Sequence, residues 1–256
     1  MAVLRIDHTS ISTKVCLPLY MMLPDPMRME GIPVRERKVL YLLHGLSDDG
    51  SAWQRYSSIE RLSNDYGLVV VMPSVGRSFY TDLPNGQKYF TYITEEIPQY
   101  LKDVFDLDPK REDTFLAGLS MGGYGAMKAG LLHPEKYSAV ASFSGVLSME
   151  MLVPHLQADR QELAEFSLIF GDIQKTPGSQ FDPIAWLKNF DLHTADLPRL
   201  FVSCGRQDDL YPMTRHFADT CRQLGFPVDY HEEDGQHTWD LWDREIARFL
   251  KAVLEK

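Results

Sequence analysis

The chain has 256 residues, 44% hydrophobic and 24% charged, which supplies one sizeable buried core and shows no fibrous or disordered signature. A formal net charge of -10 repels polyanions at long range and so argues against nucleic acid or an anionic membrane as partner. Three cysteines, Cys16, Cys204 and Cys221, form no C-x-x-C pair, so neither a disulfide framework nor a zinc site is indicated, and a reducing, cytoplasmic setting is expected.

The opening MAVLRIDHTS carries Arg5 and Asp7 where a signal peptide needs an apolar run, and no apolar stretch reaches about 18 residues, so a soluble protein is expected. Val3 to Ile11 and Lys14 to Leu23 read as an antiparallel strand pair ended by Pro24-Asp25-Pro26. Val39 to Leu43 is a continuous apolar run that suits a strand buried on both faces. Trp53, Tyr56, Ile59 and Leu62 then recur at helical spacing before Gly67, and Leu68 to Met72 is a second buried strand stopped by Pro73. Ser74 to Lys88 reads as a long polar and aromatic loop, and Tyr89 to Phe105 as a helix despite Pro98.

Thr114 to His133 is the stretch around which the rest is organised: a short apolar strand, the turn Gly118-Leu119-Ser120-Met121-Gly122, then a helix rich in small residues. A serine between strand and helix sits on a sharp turn, where flanking glycines admit neighbouring backbone and the first helical N–H groups remain unpaired. Ala139 to Phe143 repeats the buried-strand pattern. From Val146 to Leu197 the signal is irregular, broken by Pro154, Pro177, Gly178 and Pro183; an insertion at a strand's C-terminal end there would serve as a cap. Leu200 to Cys204 and Val228 to Glu232 are strands, and Met213 to Leu224 and Trp239 to Leu254 helices. The alternation predicts a mainly parallel sheet covered by helices, in one domain spanning 1–256 with a cap insertion at 146–197.

G-x-S-x-G alone is a weak signal, and the competing reading of an isolated Ser120 is a turn residue. A serine nucleophile also needs a base, and the base needs an acid to fix its tautomer. Asp208 follows the Leu200 to Cys204 strand and His237 follows the last strand, in the chain order Ser, Asp, His, each beyond the C-terminal end of a predicted parallel strand. His44 lies in a His-Gly pair ahead of the serine and shapes a loop. His133 caps a helix and His231 lies within a strand; His8, His155, His193 and His216 show no partner pattern. The expected oxyanion donors are the backbone N–H groups of Leu46 and Met121. No clustered ligand set implies a metal, and the chemistry needs no cofactor.

The segments LLHGLSDDGSAW, GRSFYTDLPNGQKYF, GLSMGGYGAMK, FSG, GRQDDLY and Gln236-His237 resemble the esterase D superfamily, which also holds the S-formylglutathione hydrolases, and within it the bacterial tributyrin esterase branch. The resemblance covers nearly the whole chain and is weakest from Ser148 to Leu197. It implies an α/β-hydrolase fold, carboxylesterase activity on short acyl chains, a small-molecule ester substrate, and Ser120, Asp208 and His237 as nucleophile, acid and base. It selects Asp208 over Asp209, because the family's acid follows a glycine and two further residues. S-formylglutathione hydrolases usually carry a cysteine two residues beyond the Gly-Leu of the oxyanion loop, where this chain has Asp48. Thioester hydrolysis, feruloyl or acetyl-sugar ester hydrolysis, acyl transfer and a non-catalytic ligand-binding role are the alternatives, and a homo-oligomer is compatible with all of them.

Overall fold

The computed structural model describes residues 1–157, 160–193 and 196–255. Eight strands form one sheet: β1 (Ala2–Thr9), β2 (Cys16–Leu23), β3 (Val39–Leu43), β4 (Val69–Pro73), β5 (Thr114–Leu119), β6 (Ala139–Phe143), β7 (Arg199–Gly205) and β8 (Val228–Glu233), in the order β1-β2-β4-β3-β5-β6-β7-β8. β2 pairs antiparallel with β1 and β4, and every other pairing is parallel. Such a sheet needs cover on both faces, and the strand alternation supplies it. Leu40 and Leu42 of β3, Val70 and Met72 of β4, and Phe115, Ala117 and Leu119 of β5 point to one core. There they meet α1 (Ala52–Tyr56), α2 (Ile59–Tyr66) and α10 (Trp239–Leu254). Val39, Tyr41, Leu43, Val69, Val71 and Leu116 face a second core built with α4 (Ile97–Phe105), α5 (Met121–Leu132) and α9 (Tyr211–Leu224). This is the α/β-hydrolase arrangement expected from the sequence.

Three local expectations are revised. The single helix read from Trp53 to Leu62 is two, because Ser57 is extended and Asp243, from α10, binds both the N–H and the hydroxyl of Ser58 at 2.7 Å. The helix read from Tyr89 to Phe105 is α3 (Tyr89–Thr91), a π segment (Tyr92–Glu96) and then α4. Proline in a helix interior lacks an N–H and crowds the preceding turn; here Pro98 directly follows the π segment, and the Thr94 carbonyl four residues before it accepts from Lys136 Nζ at 2.7 Å. The irregular stretch from 146 to 197 is largely helical: α6 (Met149–Leu156), α7 (Arg160–Phe170) and α8 (Pro183–Asn189). Pro154 sits inside α6, whereas Pro183 opens α8 at its first position, behind the N-cap Asp182 whose carboxylate accepts from Ile184 N–H. Ala158, Asp159, Thr194 and Ala195, which fall within that predicted insertion, lie outside the described residues.

α7 and α8 are fixed to α5 by aromatic packing. Phe79 lies 4.9 Å from Phe166 and 5.4 Å from Phe170, and Tyr124 of α5 lies 5.1 Å from Trp186 and donates its hydroxyl to the Phe181 carbonyl at 2.9 Å. Among the described residues no helix is long and apolar enough to cross a membrane.

Candidate active site

The turn between β5 and α5 holds Ser120 at φ 52°, ψ -119°, a conformation a non-glycine residue adopts at a cost of about 1–3 kcal/mol. It persists because close backbone packing leaves no alternative. A Cβ on Gly118 would lie 2.3 Å from the Gly122 carbonyl oxygen, and one on Gly122 would lie 2.4 Å from the Leu43 carbonyl oxygen, so the helix can enter directly over β3 only with glycine at both positions. Neither glycine has a positive φ; Ser120 itself bears the strain, and the glycines supply the close approach.

Hydrogen bonds then run along the C-terminal edge of the sheet. Ser120 N–H donates to the Phe143 carbonyl (2.8 Å), Ser144 N–H to Ser203 (2.7 Å), Arg206 N–H to Glu233 (2.9 Å) and Gln207 N–H to Gly235 (3.0 Å). The ends of β5, β6, β7 and β8 are thereby tied in sequence, and the loops after β5, β7 and β8 carry Ser120, Asp208 and His237 respectively. Gly205 and Gly235 allow the last two loops to touch, since a Cβ on Gly205 would lie 2.3 Å from the Gly235 carbonyl oxygen.

Asp208 and His237 meet: Nδ1 of His237 lies 2.8 Å from Oδ2 of Asp208. The other carboxylate oxygen, Oδ1, accepts from Leu210 N–H at 2.8 Å. The Asp208 side chain is fully buried while that of His237 is 37% exposed, so one end of the pair is fixed in the protein and the other is open to a substrate. Burial alone would raise the Asp208 pKa. The hydrogen bond and charge of His237, the Leu210 N–H and the Ser144 hydroxyl together hold it below the usual carboxylate value, so the acid is ionised at neutral pH. Asp209 is exposed on the surface.

His44 is fully buried with both ring nitrogens engaged. Nε2 accepts from Val75 N–H at 3.1 Å, so Nδ1 carries the proton and donates to the Gly45 carbonyl at 2.7 Å. Burial lowers its pKa to about 4, so the ring stays neutral and serves to hold its loop. That loop lies against Ser120, since a Cβ on Gly45 would be 3.7 Å from Ser120 Cβ. Among the described residues, nothing accepts a hydrogen bond from the N–H of Leu46 or of Met121. Asp48 follows in the same loop, its carboxylate 3.4 Å from that Gly45 Cβ position and its pKa raised by burial. His231 bonds Glu245 at 2.7 Å and His133 ends α5, both structural as expected.

Two neighbours of Asp208 and His237 carry no strong sequence signal. Ser144, at φ 48°, contributes to holding the Asp208 pKa down and accepts from Trp242 Nε1 at 3.1 Å; its only sequence trace is the Phe-Ser-Gly segment. Trp242 also packs edge-on against His237, with ring centroids 4.8 Å apart. It reads in the sequence as one of several apolar residues on the last helix.

A family model described as "Putative esterase" matches residues 10–253. The chain is 31% identical to the acetyl esterase of Caldicellulosiruptor saccharolyticus over 255 residues, 96% of each chain. The solved structure of FphF, a fluorophosphonate-binding serine hydrolase of Staphylococcus aureus, superposes with a TM-score of 0.89 at 31% identity, covering 100% of this chain and 99% of that one. The S-formylglutathione hydrolase FrmB of the same organism gives 0.87 at 30% identity, with 99% of both chains covered. The sheet order, the strained serine between β5 and α5 and these relatives agree: the chain belongs to this esterase family and is a serine-hydrolase enzyme of α/β-hydrolase fold.

Proposed function

We propose that the protein is a serine carboxylesterase that hydrolyses short-chain acyl esters, acetyl to butyryl, tributyrin among them, through an acyl-enzyme on Ser120. The observation that carries this reading is the 2.8 Å contact of His237 Nδ1 with a buried, ionised Asp208, on an edge that also presents Ser120 on its strained turn. With Nδ1–H donated to Asp208, Nε2 of His237 is the basic nitrogen. It takes the hydroxyl proton as Ser120 Oγ adds to the ester carbonyl, and the carbonyl π pair moves onto oxygen. The unpaired Leu46 and Met121 N–H groups receive that oxyanion. Collapse breaks the bond to the alcohol, which leaves with the proton from His237, and water repeats the sequence to release the acid. No cofactor takes part.

Phe166, Phe170, Trp186 and Leu187, read as bulky residues of the cap, are all buried in the packing that joins the 146–197 segment to α5. We propose that this segment covers the site as a cap on a single domain and that its filled interior limits the acyl chain. Each methylene taken from water gains about 0.8 kcal/mol, whereas forcing it into packed surroundings costs about 1–3 kcal/mol. The expected profile of kcat/KM on p-nitrophenyl esters therefore peaks between acetyl and butyryl and falls steeply by octanoyl. A rise continuing through decanoyl, measured below micelle-forming concentrations, rejects the short pocket. Ser120→Ala should abolish turnover and labelling by a fluorophosphonate; turnover by that variant rejects the nucleophile.

The likeness to FrmB supports a second reading, hydrolysis of S-formylglutathione. Asp48, in the loop beside Ser120, weighs against it because the glutathione moiety is anionic. Rates on the thioester and on p-nitrophenyl acetate, taken side by side, separate the two.

A further inference from the structure

The loop from Ser74 to Lys88 contains two consecutive residues in the left-handed region, Phe79 at φ 51° and Tyr80 at φ 49°. Backbone of this kind persists only where its surroundings over-determine it. Phe79 is locked into the aromatic packing of α7. Tyr80 is fully buried, and its ring packs so closely on α5 that a Cβ on Gly125 would lie 2.5 Å from Tyr80 Cδ2. Its carbonyl accepts from Nζ of Lys128, also buried, at 3.2 Å, and the same nitrogen reaches Thr81 Oγ1 at 3.0 Å. The Tyr80 hydroxyl is aimed away from these anchors, at the carbonyl of His44, to which it donates at 3.0 Å.

That carbonyl belongs to the peptide on the N-terminal side of Gly45. The peptide on the other side, whose N–H is that of Leu46, has its carbonyl held by His44 Nδ1–H. The His44 ring is in turn held by Val75 N–H of the same 74–88 loop. A glycine imposes little on its own φ and ψ, so the orientation of both peptides flanking Gly45 is set by what bonds their carbonyls: Tyr80 on one side, and His44 Nδ1–H with, at 3.3 Å, Asp48 N–H on the other. In a trans peptide the N–H points opposite to the C=O; fixing the two carbonyls therefore fixes the direction of the Leu46 N–H. We infer that Tyr80 is a positioning residue for the oxyanion donor: anchored on α5 through Lys128, its hydroxyl sets the His44–Gly45 peptide and thereby aims the Leu46 N–H. The inference rests on the proposed role of that N–H in ester hydrolysis.

A donor that is only mis-aimed costs stabilisation of the developing oxyanion, not substrate binding, so the effect falls on kcat. Tyr80→Phe keeps the ring and removes one oxygen. With rates normalised to folded enzyme by fluorophosphonate active-site titration, the variant should lose about tenfold or more in kcat on p-nitrophenyl butyrate, with KM within about twofold. A second readout is an alkyl trifluoromethyl ketone. Ser120 Oγ adds to its carbonyl carbon, the π pair becomes an oxyanion and the hydroxyl proton passes to His237. Its affinity should fall by the same factor, while that of the matching methyl ketone, bound without the adduct, should not change. Wild-type kcat and ketone affinity in the variant, or a loss expressed in KM alone, overturn the assignment. Should Tyr80→Phe fail to fold, Lys128→Met, which frees the Tyr80 carbonyl, decides: a fall in kcat at constant KM supports the inference and wild-type kcat overturns it. A wild-type protein that turns over no ester fails the underlying reading, whereas an active wild type with an indifferent Tyr80→Phe variant fails this inference alone.

Discussion

Replacing Asp208 with asparagine changes one oxygen to an amide nitrogen at nearly constant volume, and the surroundings dictate which one. Oδ1 accepts from Leu210 N–H at 2.8 Å, so the asparagine must keep its carbonyl oxygen on that side. The flipped amide would set an NH₂ against a backbone N–H and leave a buried donor unpaired, at about 1–3 kcal/mol. The NH₂ is therefore directed at Nδ1 of His237, which in wild type stands 2.8 Å from Oδ2. Facing a donor, Nδ1 loses its proton and Nε2 carries it, so the nitrogen that should accept the Ser120 proton is already occupied. In the serine-protease precedent this tautomer error lowers kcat by about 10⁴, or about 5.5 kcal/mol of barrier at 1.4 kcal/mol per decade. The expected result is a loss of that order on p-nitrophenyl butyrate at pH 7.5, with an unchanged circular dichroism spectrum. Asp209→Asn, at an exposed carboxylate, should stay within about twofold of wild type. A tenth of wild-type turnover in Asp208→Asn, or an equal loss in Asp209→Asn, refutes the reasoning. The carboxylate is not the group that titrates in such an assay: its folded pKa lies below the ordinary value, so its contribution to stability holds throughout neutral pH and is lost only as pH falls through the folded pKa.

Two further outcomes follow from the loop after β3. His44 is buried neutral with its pKa lowered to about 4, against about 6.5 in the unfolded chain, so the unfolded state binds more protons in between and stability should fall as pH drops from 6.5 toward 4. This one group is worth up to about 3 kcal/mol over that window; urea unfolding from pH 7.5 to 4.5 should show a shallower loss in His44→Gln than in wild type, and parallel curves would contradict it. Asp48→Asn removes a negative charge from the loop that lies against Ser120, where two unit charges in a partly exposed site interact by on the order of 1 kcal/mol. It should raise kcat/KM for anionic S-formylglutathione about fivefold relative to p-nitrophenyl acetate, and an unchanged ratio would show that Asp48 does not select against anions.

What could be read from the chain depended on whether neighbours in sequence or neighbours in space decide the conformation. β3 is an uninterrupted apolar run and β6 an apolar run broken only by Ser142; every residue of both is buried, and their bounds match the sequence reading. Asp208 and His237 were legible through chain order and strand ends, and the structure brings them together. The break between α1 and α2 was not legible because Asp243, which binds Ser58, is 185 residues away. The helices between 146 and 197 were obscured for a related reason. Their propensity is modest and interrupted by proline, and they are held by contacts of Phe166, Phe170 and Trp186 with Phe79 and Tyr124, neither of which a local window contains. Ser144 escaped notice because a serine ending a strand looks like any turn residue until its Trp242 partner is seen.

The distribution of the four tryptophans makes the fold optically divisible. Trp53, Trp239 and Trp242 form a chain of edge contacts, 5.1 and 5.3 Å between ring centroids, that ends beside His237. Trp186 stands apart on the opposite face of the sheet, against Tyr124. Emission from a Trp186→Phe protein therefore follows the face that carries α10 and His237, and the difference from wild type follows α8 and its neighbours. Melting the two proteins in parallel separates loosening of the cover over α5 from collapse of the sheet beneath it, without any attached dye.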